Sequence, residues 1–131
     1  MGARSIEIEV LVLTYNRANL IGATLESLLA QERPSSRICV FENGSTDGTD
    51  EVVRAFEARG VELVCRQTND PRAVWSDLQA VARGEWTMVF HDDDLLHPSY
   101  LFHVAEALAK EPGATVAVSA MRAHGDRKSV V

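Results

Sequence analysis

Five short apolar runs separated by four stretches of helical period constrain this chain more than any single residue does. Ile6 to Thr14, IEIEVLVLT, opens by alternating and then becomes continuously apolar, as a strand does on passing from the edge of a core into its middle. Arg37 to Phe41, Val61 to Cys65, Trp86 to Phe90 and Thr115 to Met121 are the other runs of strand length, with Trp86 to Phe90 read as the buried central one. A first helix, capped by Asn19 and running to about Gln31, repeats Ile21, Leu25, Leu28 and Leu29 on one face. A second spans about Asp50 to Arg59, with Val52, Val53 and Phe56 inward and Gly60 as its stop. A third covers Ala73 to Arg83 on a Val74, Leu78, Val81 stripe. The fourth runs from Pro98 or Ser99 to about Lys110 and buries Leu101, Val104, Ala105 and Leu108. Right-handed crossovers between such strands predict an α/β fold, a doubly wound, mostly parallel sheet with helices on both faces.

A length of 131 residues suits one domain over 1–131, with a frayed polar tail expected from Arg122 to Val131. Hydrophobic residues at 46% and charged residues at 24% belong to a globular chain rather than a disordered or fibrous one. The net charge of -6 excludes a nonspecific nucleic-acid binder, which needs a basic stripe. No apolar stretch reaches membrane-spanning length and MGARSIEIEV lacks the apolar region of a signal peptide, so a cytoplasmic location is expected. Cys39 and Cys65 have no metal-type spacing and are expected to be small buried hydrophobes.

In a sheet of this kind the loops after the first four strands converge along one edge. Those loops hold TYNR, ENGSTDGT, RQTNDPR and HDDD, most of the polar chemistry of the chain. The glycines of the second loop suit a tight turn with exposed amides. Asp92, Asp93 and Asp94 repel one another, and solvation as an acidic turn or gathering on a cation would each relieve that. At the carboxyl end of a parallel strand a hard divalent ion such as Mg²⁺ or Mn²⁺ becomes the more informative possibility.

Taken together, VLVLTYNRANLIGATLESLLAQ, ENGSTDGT, ARGEW and FHDDDLLHPSYL resemble the family 2 glycosyltransferases, nucleotide-sugar enzymes of the Rossmann-like GT-A fold. The resemblance runs from Val10 to about Leu101. It implies that Thr14, Tyr15, Asn16 and Arg17 lie beside the base and diphosphate of a nucleotide diphosphate-sugar, a UDP-sugar foremost. Glu42 stands where the family has Asp, and with Asn43 it would meet the base or ribose. Arg66 and Arg72 could reach a base or phosphate from the third loop. By position in the family's Asp-x-Asp element, Asp93 would ligate Mn²⁺ or Mg²⁺ with Asp94 beside it, orienting its neighbours. Asp92 would contact ribose or the water shell of the metal. His91 takes the place of that element's first Asp and is expected to be structural, its imidazole facing the core.

The implied activity is metal-dependent, inverting sugar transfer, with a carboxylate base supplied by a later acceptor-binding segment. The family continues past the position of Met121 with that segment, so no base is assigned here. The alternative reading is a noncatalytic nucleotide-sugar-binding module or a fragment without turnover. Apolar surface left uncovered in that case would favour homo-oligomers.

Overall fold

A computed structural model of the chain describes residues 5–118. Its elements are β1 (Ile8–Thr14), α1 (Ile21–Leu29), β2 (Arg37–Glu42), α2 (Thr49–Arg54) followed by a 3₁₀ turn at Glu57–Arg59, β3 (Val61–Cys65), α3 (Val74–Val81), β4 (Trp86–His91) and α4 (Tyr100–Lys110). The strands form one parallel sheet in the order β3-β2-β1-β4. β1 pairs with β2 from Glu9↔Arg37 to Thr14↔Glu42, and with β4 from Ile8↔Trp86 to Leu13↔His91. The chain therefore winds outward through β2 and β3, then crosses back to the other side of β1. The carboxyl ends of β1 and β4 flank the point of reversal, which is where open α/β sheets form a ligand crevice.

Alternate side chains of β1 serve two cores. Ile8, Val10 and Val12 join Ile38, Val40 and Val53 beneath Leu25 and Leu28 of α1 and Leu101, Ala105 and Leu108 of α4. On the opposite face Leu11 and Cys39 meet Leu78 of α3, with Leu13, Val64 and Val74 alongside. Helices thus cover both faces, as the sequence predicted. No helix among the described residues is long and apolar enough to cross a membrane.

Several local expectations change. α1 starts at Ile21 and takes no side-chain cap from Asn19; the carbonyl of Arg17 instead accepts from the amides of Leu20 and Ile21. The second helix loosens into a 3₁₀ turn before Gly60, whose φ of 92° ends it. β4 is the edge of the described sheet rather than its buried middle. One face of β4 meets the main core, while α3 sits over β1 and β2 and leaves Val89 38% exposed. His91 follows that alternation and is exposed, so its imidazole does not face the core. Cys39 is buried, but Cys65, at the end of edge strand β3, is exposed. Of the predicted last strand, Thr115 to Val118 is not in a strand, and the remainder to Met121 and the tail lie outside the described residues.

The other departure is Glu9. Its place in IEIEV suggests a solvent-facing alternation, yet it is 1% exposed, on the α3 face of β1. Its Oε1 accepts from the amides of Arg83 and Gly84, both at 2.8 Å, and from the Thr87 hydroxyl at 2.7 Å. Its Oε2 accepts from Arg37 Nη1 at 3.2 Å, and the same nitrogen donates to the Val81 carbonyl at 2.8 Å. Glu62 pairs with Nε of Arg37. Both oxygens of the buried charge are thereby hydrogen-bonded, one of them to a guanidinium, the condition under which such a charge is tolerated. Gly84 is required by the same arrangement, because a Cβ there would lie 2.9 Å from Glu9 Cγ. The carboxylate fixes where α3 ends and where β4 begins.

Burial pushes the Glu9 carboxyl up, but the Gly84 amide, the Thr87 hydroxyl, the Arg83 amide and Arg37 together hold it below its ordinary value of 4.5. A lowered folded pKa means that the stabilisation is complete above 4.5 and is lost as pH falls through the folded value. Glu9→Ala orphans two amides and a hydroxyl, and is predicted to cost about 3 kcal/mol or more in urea unfolding near neutral pH. Glu9→Gln should cost less, and its deficit against wild type should narrow as pH drops below 4.5. A deficit that stays constant with pH would contradict the charged role.

Candidate functional site

At the reversal point a pocket of about 370 Å³ is lined by Leu13, Thr14, Tyr15, Asn16, Arg17, Phe41, Asn43, Val74 and Asp92. That size falls within the range of small-molecule sites. Its floor is the apolar end of β1 and β2, and its rim is the polar loops that follow the strands.

The first two loops are stitched together. Asn16 sits at φ 50°, in the left-handed region that Asn tolerates better than most side chains. Its amide donates to Ser45 Oγ at 2.9 Å, and its Oδ1 accepts from the Thr46 amide at 2.8 Å. The Arg17 amide donates to Thr49 Oγ1 at 3.0 Å and the Ala18 amide to Asp47 Oδ2 at 3.1 Å. The Thr49 hydroxyl in turn donates to Asp47 and, with the amides of Ala18 and Thr49, holds the Asp47 carboxyl below the usual range. Gly48, at φ 89°, provides the turn into α2.

The second loop is fastened to the third with similar economy. Asn43 accepts from Asn69 Nδ2 at its carbonyl and from the Asp70 amide at its Oδ1, each at 3.1 Å. Since Oδ1 takes that amide, the Asn43 NH₂ group keeps its donors for the pocket. Gly44 has φ 75°, and a Cβ on it would stand 2.5 Å from the backbone of Thr68 and Asn69, so both its conformation and the close approach need glycine.

The acidic turn begins where β4 ends. Asp92 leans on the first loop: its Oδ2 accepts from the Tyr15 amide at 3.3 Å, and its Oδ1 lies 3.6 Å from Arg17 Nε. Asp93 is exposed and Asp94 half-buried, and neither carboxylate makes a hydrogen bond or ion pair among the described residues. No group of three or more His, Cys, Asp or Glu side chains among the described residues is arranged to hold a metal. The oxygen donors of Asp93 and Asp94 do suit a hard divalent ion that takes one or two carboxylates and completes its shell with water and phosphate.

Of the residues singled out from sequence, Thr14, Tyr15, Asn16, Arg17, Asn43 and Asp92 line the pocket. Glu42 is buried behind it and accepts from the Ser45 amide. Arg66 is paired with Asp77 of α3, and Arg72 is exposed outside the lining. The Thr14 hydroxyl is buried without a hydrogen-bond partner, an unusual state for a polar atom in a pocket wall. Leu13, Phe41 and Val74 escaped the sequence reading because apolar lining looks like core. Ser45, Asp47 and Thr49 were legible only as loop-formers, because the amides they cap, those of Asn16, Ala18 and Arg17, lie in another loop.

The succinoglycan biosynthesis protein ExoO of Rhizobium meliloti (strain 1021) is 32% identical over 113 residues, spanning 86% of this chain and 32% of that protein. Residues 1–349 of S. aureus TarS in complex with UDP superpose with a TM-score of 0.71 at 26% identity, over 82% of this chain and 33% of that one. The mannosyltransferase PcManGT from Pyrobaculum calidifontis, in complex with GDP-Man and Mn²⁺, gives 0.70 at 27% identity, over 81% and 33%. The chain spans about a third of the length of the curated relatives it matches. The sheet and its helices are the GT-A arrangement expected from sequence. Residues 9–130, nearly the whole chain, match the family model of glycosyl transferase family 2, and the chain belongs to that family.

Proposed function

We propose that this chain is the donor-binding part of a metal-dependent glycosyltransferase. It takes a nucleoside diphosphate sugar, a UDP-sugar foremost, and passes the sugar to an acceptor with inversion at the anomeric carbon. The observation that carries this reading is the pocket at the sheet's reversal point, where an aromatic ring, a buried hydroxyl, an amide, a guanidinium and the start of an acidic turn converge. The likeness to proteins in complex with UDP and with GDP-Man and Mn²⁺ supports it.

Each group has a task that its chemistry suits. The Tyr15 ring, 44% exposed, offers a stacking face to a base. The Asn43 NH₂ group is available to the polar edge of the base or to ribose, and Thr14, whose hydroxyl is buried, forms the wall beside it. Glu42 keeps for the same ligand the carboxylate oxygen that Ser45 does not use. In a chain of net charge -6, a diphosphate needs a local cation, and Arg17 supplies it from beside Asp92, whereas Arg72, exposed outside the lining, would have to swing in to add a second. Arg66 would contribute only by leaving Asp77.

Breaking the sugar–phosphate bond leaves extra negative charge on the departing nucleoside diphosphate, and Arg17 is placed to meet it. Asp93 and Asp94 would hold Mn²⁺ or Mg²⁺, which when bound stabilises that same charge. Asp92 orients Arg17 and the Tyr15 amide, and so couples the acidic turn to the base-binding loop.

Calorimetric titration with UDP, and with GDP and dTDP for comparison, tests this directly. Binding is expected to need Mn²⁺, to vanish in chelator, and to weaken by at least about ten-fold in Asp93→Ala. Equal affinity with and without chelator would refute the metal assignment, and no affinity for any of the three would refute the donor site. Stacking by Tyr15 makes a separate prediction: Tyr15→Ala should lose about 1–2 kcal/mol of nucleotide affinity, while Tyr15→Phe retains most of it.

A further inference from the structure

The acidic turn and the segment after it, Asp92 to Ser99, have no regular secondary structure of their own, yet several of their backbone polar groups find partners outside the segment. The partners come from a polar stripe on one helix. Thr24, 1% exposed on α1, points its hydroxyl at two carbonyls, Asp92 O at 3.0 Å and Asp94 O at 2.9 Å. Ser27 accepts from the Leu96 amide at 3.0 Å and donates to the Thr24 carbonyl at 2.7 Å. Gln31, buried just beyond the end of α1, donates to the His97 carbonyl at 2.7 Å and accepts from the Leu101 amide at 3.1 Å. The Glu32 amide completes the row by donating to Pro98 O at 2.8 Å.

From this we infer that Thr24, Ser27 and Gln31 are positioning residues for the acidic turn. They act on Asp93 through backbone carbonyls and amides without touching a ligand. This rests on the metal and nucleotide reading above. The geometric reason lies in Thr24. One hydroxyl, sharing its single proton between the carbonyls of residues 92 and 94, draws both toward α1, and the residue between them, Asp93, is left exposed on the turn. Removing the hydroxyl orphans two carbonyls and frees the turn to choose another shape. Helical spacing of three and four puts 24, 27 and 31 on one side of the helix path, beside the apolar stripe of Ile21, Leu25 and Leu28, so the device is continuous with the core.

The test uses the 131-residue chain and UDP with Mn²⁺ as the probe, titrated again in chelator, for wild type, Thr24→Val, Thr24→Ser and Ser27→Ala. Thr24→Val is expected to weaken Mn²⁺-dependent binding by about ten-fold or more, the usual scale for partners that orient a metal ligand. Thr24→Ser, which keeps the hydroxyl, should stay within about two-fold of wild type. Ser27→Ala, a milder change that covers failure of Thr24→Val to fold, should weaken binding about three-fold and speed hydrogen exchange at the Leu96 amide. Wild-type affinity in both Thr24→Val and Ser27→Ala would overturn the assignment and leave the donor site standing. So would failure of Thr24→Ser to rescue, or loss in Thr24→Val of metal-independent affinity to the same degree, which would mark general collapse of the pocket. Absence of binding by wild type would overturn the donor reading and this assignment with it.

Discussion

β4 lies beside β1 because buried polar side chains hold it at both ends, and the candidate site depends on that placement. At its beginning the Glu9 carboxylate collects the Arg83 and Gly84 amides and the Thr87 hydroxyl. Just past its end the Thr24 hydroxyl collects the Asp92 and Asp94 carbonyls. Between them β4 is the edge of the described sheet, with one face half open, a weak position for hydrophobic burial alone. The polar anchors specify register, because each pairs with one set of backbone groups, Glu9 as acceptor and Thr24 as donor, and leaves an unsatisfied polar group if the strand slips.

With β4 in place, the chemistry of the pocket follows from topology. Reversal of strand order about β1 brings the first loop, the second loop and the acidic turn to one crevice. Ser45, Asp47 and Thr49 then cap the amides of the first loop, so that Tyr15 and Arg17 stand on a rigid backbone. Preorganised loops spare a ligand the cost of ordering them. Asp93, by contrast, is exposed and has no hydrogen-bond or ion-pair partner among the described residues.

The sequence was most legible where periodicity and turn chemistry agreed. β1, β2, β3 and β4, the helices between them and the convergence of four polar loops could all be read from apolar runs and glycines. Six of the expected site residues do line one pocket. Long-range polar partners were not legible. Glu9 sits in an alternating run that ordinarily faces water, and only distant partners, the Arg83 and Gly84 amides, Thr87 and Arg37, explain its burial. Thr24 and Gln31 fall among helical polar residues, and their partners are backbone atoms some 70 positions later, which carry no side-chain signature. Arg66 could not be told from a phosphate ligand until Asp77 was seen to occupy it. His91 and Cys65 were misplaced for a simpler reason: an edge strand exposes residues that a central strand would bury.

The central claim is that the nucleotide binds at the reversal point between β1 and β4. Amide chemical-shift mapping of the labelled chain on addition of UDP and Mn²⁺ tests it most directly. Shifts are expected to be confined to Thr14–Arg17, Glu42–Thr49 and Asp92–Asp94, with the opposite end of the sheet, around Glu9 and Trp86, unchanged. Shifts centred on that opposite end, where Ile6, Trp86, Leu108 and Pro112 line a second hollow, would contradict it.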